Sequence, residues 1–169
     1  MKLRMKEVGC VLVLAATLVV YGETARDGVW SGKTSQDKVI SFEIKDGVLK
    51  SFTLGWTVPL EEPCATTPGS SIALTALGGT DTLHFPYSMK EYDLLKGQGE
   101  TRIDPATVAP ALGEKGFEVS RDLGGKARLS VTAQTQADGS IVGTATITAT
   151  TCKGSQKLSW STSKGKQLP

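Results

Sequence analysis

The sequence predicts an all-β domain of about eight antiparallel strands, arranged as a two-sheet sandwich held by one disulfide, with a barrel as the next-best architecture. Three observations carry this. The stretch from Gly125 to Ser163 alternates with period two, is crowded with Thr, Val and Ile, and is broken by an Asp138-Gly139 turn. A second alternating pair of runs surrounds Asp46-Gly47. Between them no succession of long helical patterns alternates with strands, which argues against an α/β fold. The 169 residues suffice for one domain with a sizeable core.

The chain opens with Lys2, Arg4 and Lys6 ahead of an apolar run from Val8 to Tyr21. That run is too short for a comfortable membrane span and reads as residues 1–22 of a cleaved signal peptide, with Val20 and Gly22 before the cut. An uncleaved anchor is the alternative. Cys10 precedes most of the apolar run, so lipidation there is rejected. Without the leader the net charge falls from +2 to about zero. A neutral domain has no broad electrostatic reason to bind nucleic acid or an anionic membrane, and no stable membrane insertion is expected after signal removal. The expected location is secreted or otherwise extracytoplasmic, in a periplasm or at a cell surface.

Residues 23–27 form a polar lead-in, and the β domain spans 28–163. Trp30 sits between Gly28 and Gly32 in the first strand; a Gly-x-Trp of this kind also occurs in lipocalin-like barrels, and no later motif extends that comparison. Ile40, Phe42 and Ile44 share one face of the next strand. After Asp46-Gly47 the chain returns from Val48 to Trp56, with Phe52, Leu54 and Trp56 in phase. Pro59 to Ser70 reads as a proline-broken loop around Cys64. Ser71–Leu77 and Thr80–Phe85 read as two short strands separated by a Gly78-Gly79 turn. From Pro86 to Gly116 irregular packed structure is expected, with one helical turn in MKEYDLL and a short strand at Thr101–Asp104. Extended structure resumes at Phe117 and Val119, and the meander follows to Leu158 and Trp160. Residues 164–169 read as a flexible tail.

Cys64 and Cys152 are an even pair in an exported chain and suggest one disulfide; two free buried thiols are the alternative. Two distant Cys and one His are too few ligands for a metal site, and the sequence calls for no cofactor.

Gly28, Trp30, Gly32 and Thr34, then Ser35 and Ile40-Ser41-Phe42-Glu43-Ile44, form one set of motifs. Gly47, Cys64, Phe117, Gly143-Thr144, Cys152, Trp160 and Ser161 form another. Together they resemble a group of small secreted bacterial β domains with a Gly-x-Trp/Tyr-x-Gly start, one Cys pair and a terminal Trp. The resemblance covers about residues 28–163, departs where Thr162 stands for Ala, and has little pattern across 65–115. It implies a disulfide-linked β sandwich outside the cytoplasm, and no reaction, substrate or cofactor.

No residue set compels a reaction. His84, the sole histidine, would need a nucleophile and an acid close in space; Ser88, Asp81 and Asp104 are nearby in sequence only. Asp81, Glu91, Asp93, Glu100 and Asp104 flank the irregular middle and either line a cleft or solvate a loop. A hydrolase built from Asp81, His84, Glu91 and Asp104 is the alternative function. Trp56 with Tyr87 and Tyr92 forms a candidate platform for a sugar or peptide, although the parity of Trp56 with Phe52 and Leu54 favours its burial. Thr144, Thr146, Thr148 and Thr150 form either the wet face of a strand or a water-ordering surface. The leading expectation is a non-enzymatic exported domain that binds an extracellular protein or glycan, or stabilises an envelope assembly.

Overall fold

The alternation becomes strands wherever apolar residues fall on one parity. The computed structural model describes residues 26–65, 72–110 and 116–165. Residues 1–25, which include the expected leader, and the last four residues of the expected tail lie outside them.

The strands are β1 (Gly28–Thr34), β2 (Val39–Lys45), β3 (Val48–Cys64), β4 (Leu74–His84), β5 (Phe117–Leu123), β6 (Ala127–Thr135), β7 (Ile141–Ala149) and β8 (Ser155–Lys164). In β2, Ile40, Phe42 and Ile44 are buried and the residues between them are not. Asp46 and Gly47 both have positive φ (54° and 69°), as a two-residue hairpin loop requires. The Asp27 carboxylate accepts the amides of both, at 2.9 and 3.1 Å, so the polar lead-in caps this turn.

The expected all-β fold with eight antiparallel strands and one disulfide is what forms. The strands make one sheet, in the order β4-β3-β2-β1-β8-β7-β6-β5, that nearly closes into a barrel. Its two halves, β1–β4 and β5–β8, are each a local meander. Their join is the non-local pair β1–β8, from Trp30 opposite Lys164 to Thr34 opposite Trp160. The halves also meet across the interior. Phe42 stands edge-on to Phe117 at 5.4 Å and to Trp160 at 5.9 Å, and Phe52 stands edge-on to Phe117 at 6.3 Å. These rings fill the middle of the barrel, so it is a packed core rather than a channel.

Four local expectations are corrected. The strand that ends the first hairpin does not stop at Trp56. It runs to Cys64, through a register irregularity between Pro59 and Cys64, and Glu61 N–H reaches Lys153 O at 2.9 Å. Gly78-Gly79 is not a turn but the middle of β4, opposite Thr57 and Trp56. Close backbone approach explains that glycine: a Cβ at Gly78 would lie 2.9 Å from Trp56 O. MKEYDLL forms more than one turn. It lies in α1 (Met89–Gly97), started by a Ser88/Glu91 capping box. No strand forms at Thr101–Asp104; Asp104 instead caps a single 3-10 turn, Pro105–Thr107.

The segment after β4 covers one end of the barrel. Phe85 N–H bonds Lys50 O at 2.9 Å, Ala109 N–H bonds Tyr87 O at 2.6 Å, and Leu49 N–H bonds Pro110 O at 3.4 Å. On β5 the Arg121 guanidinium sits 5.0 Å from the centre of the Phe85 ring. Burial lowers the pKa of Arg121, and the charge of Asp104 opposes that shift. β4 and β5 remain the unpaired edges, and among the described residues no such segment crosses the opposite end of the space between them.

Candidate functional site

That opposite end holds a hollow of about 520 Å³, within the roughly 300–1,000 Å³ range of small-ligand sites. Trp56, Leu74, Ala76, Leu77 and Gly78 form one wall; Gly124, Gly125, Lys126 and Thr151 form the other. The first wall is apolar because β3 and β4 turn Trp56 and Leu77 inward; their exposures are 3% and 7%. The Trp56 indole is anchored, since its Nε1–H donates to Asp81 Oδ2 at 2.6 Å. Asp81 is opposite Leu54 and shares its inward parity, so a carboxylate occurs on the interior side of the edge strand.

The second wall is a backbone turn. Gly124 and Gly125 both have positive φ (62° and 72°), and Asp122 Oδ1 accepts the Gly125 amide at 2.6 Å. The turn is held to the end of β7, because Thr150 N–H bonds Lys126 O at 3.0 Å and Thr150 Oγ1 donates to Gly125 O. Lys126 is exposed, and no ion pair forms at its ammonium among the described residues.

The Cys64–Cys152 disulfide ties the two walls together, its Cα atoms 6.0 Å apart. Cys64 pairs with Leu74 in the β3–β4 register, and Thr151 immediately precedes Cys152. The Pro59–Cys64 arm, expected as a loop, is thus the strap that brings the apolar wall to the β7–β8 turn.

The other sequence-selected residues are dispersed. Trp56 is buried, and the register sets it opposite Gly79, whereas Tyr87 follows the far end of β4, beyond His84 and its partner Ser51. Tyr92 lies on α1, with the Lys96 ammonium 5.7 Å from its ring centre. The three rings therefore do not make one platform. Tyr87 instead lines a separate hollow of about 460 Å³ with Leu95, Arg102 and Asp104.

Asp81, His84, Glu91 and Asp104 do not converge either. Asp81 binds the Trp56 indole, and His84 is exposed on the outer parity of β4. Glu91 accepts from Ser88 N–H and Oγ, both at 2.7 Å, which lowers its pKa. Asp104 accepts the Ala106 amide at 2.8 Å. Among the described residues no group of three or more His, Cys, Asp or Glu side chains is placed to hold a metal ion, and no helix is long and apolar enough to cross a membrane.

The Thr ladder hydrogen-bonds to its neighbours: Thr144 Oγ1 to Thr132 Oγ1 at 3.0 Å and Thr148 Oγ1 to Ser155 Oγ at 3.2 Å. Lys126 and Thr151 escaped the sequence reading because nothing local distinguishes a turn lysine that faces a hollow from one that faces solvent. Compared with protein-family models, with curated proteins and with solved structures, the chain matches none.

Proposed function

We propose that this chain is an exported binding domain that works by holding a partner rather than by turning one over. Its site is the hollow beside Trp56, and the partner is a molecule outside the cytoplasm: a free ligand, or a group projecting from an extracellular protein or glycan. The observation that carries the reading is the pairing of an anchored, buried indole with an unpaired cation across a hollow of ligand size. The leader-like N-terminus, the disulfide and the resemblance to small secreted bacterial β domains support the location. The acidic residues of the 80–104 region favour no hydrolytic reading, since two of them serve as local helix caps.

The test is a screen of the disulfide-bonded protein against extracellular proteins, glycans and small molecules, read at the Trp56 indole N–H resonance. Saturable binding that shifts this resonance is the expected result. Turnover of a substrate without any saturable effect at Trp56 sinks the reading.

A further inference from the structure

We infer that the hollow takes a small amphipathic carboxylate, its apolar body along the aliphatic β3–β4 wall beside Trp56 and its charged group toward Lys126 and Thr151. This rests on the reading that the hollow is the binding site. The two walls differ in what they can offer. The β3–β4 wall contributes aliphatic surface beside the buried Trp56 indole, whose Nε1–H is already given to Asp81. The opposite wall is made by Gly124, Gly125, Lys126 and Thr151, which bring one ammonium and one hydroxyl to that side.

Among the described residues no acidic or amide side chain lines the hollow. Asp122, the nearest acid in sequence on the turn, holds the Gly125 amide with Oδ1. A polyol is recognised through acceptors as well as donors, and side-chain carboxylates or amides are the usual source. Lys126 is the one charged residue among the described lining residues, and the rest is glycine, threonine and apolar surface, so the lining selects a ligand that brings a negatively charged acceptor on an apolar frame.

The discriminating experiment uses three probes with one apolar body: 4-phenylbutyrate, 4-phenylbutan-1-ol and 4-phenylbutylamine. Binding to the disulfide-bonded protein is followed at the Trp56 indole N–H. The carboxylate is expected to bind about fivefold tighter than the alcohol, the upper yield of a solvent-exposed ion pair, with the amine weakest. The preference shrinks in ~1 M salt, where charges are screened within about 3 Å. Lys126→Met abolishes the preference for the carboxylate over the alcohol.

Equal binding of the three probes, or tighter binding of the amine, overturns the carboxylate assignment and leaves the site reading standing. So does failure of all three when a glycan or protein shifts Trp56. If no molecule of any class shifts Trp56, both fall.

Discussion

At the scale of single residues, Gly143 and Trp160 form one unit. They are paired across β7 and β8, and a Cβ at Gly143 would collide with the Trp160 ring and with Thr132 O. Trp160 is 4% exposed and packs edge-on against Phe42, while its Nε1–H is buried and meets no partner. The indole is therefore held by shape rather than by a hydrogen bond. Gly143→Ala is expected to destabilise the fold by about 1–3 kcal/mol, the usual cost of overpacking, read as a lower urea midpoint with an unchanged slope. Gly97→Ala is the control. Nothing lies within 4 Å of a Cβ there and φ is not positive, so the change is expected to be neutral or stabilising. The motif that put Gly143 beside Thr144 in the sequence did not reveal which ring the glycine admits; that needs the register.

At the scale of elements, α1 depends on its first turn. It buries no residue, so packing contributes little and the Ser88/Glu91 box must start it. Hydrogen bonds from Ser88 N–H, then Ser88 Oγ, lower the Glu91 pKa. A carboxylate whose pKa is depressed on folding adds stability that is present above its unfolded pKa and lost as pH falls through the folded one. The helix is thus expected to loosen when pH drops below the ordinary carboxylate range, with Glu91 Cδ titrating below an unfolded-chain reference in NMR. Ser88→Ala, which removes the Oγ donor and keeps the backbone N–H, should move that titration only part of the way back to the reference. If Glu91 titrates at the reference value in the unaltered protein, the capping box does not persist in solution. The helix outgrows the single turn that MKEYDLL suggests because the capping box, formed by Ser88 just before that run and Glu91 within it, secures its start, and it continues to Gly97.

At the scale of the whole molecule, the disulfide and the β1–β8 ladder share one task, joining two local meanders. The crosslink spans 88 residues of chain. In the chain-entropy view, closing so long a loop is worth about 4–5 kcal/mol. Replacing both Cys64 and Cys152 with Ser is expected to lower unfolding stability by up to about that amount. Because Leu74 and Thr151 stand at its two ends, the same change should weaken binding at the Trp56 hollow before it unfolds the protein. Native-state hydrogen exchange and ligand titration on one sample distinguish the two effects. Equal loss of protection across all eight strands with unaltered binding would show that the strap does not shape the hollow.

The sequence by itself determined the all-β class, the inward parity of β2, β6, β7 and β8, and the hairpin turns at Asp46-Gly47 and Asp138-Gly139. These are set by neighbours two to four residues apart, where side-chain alternation and φ preference act directly. The single continuous sheet, the passage of β4 straight through Gly78-Gly79, and the placing of Trp56 and Lys126 on opposite walls of one hollow were decided by tertiary structure. Each depends on which strand lies across from which. That choice is made by contacts between residues far apart in the chain, whose energy no local pattern records.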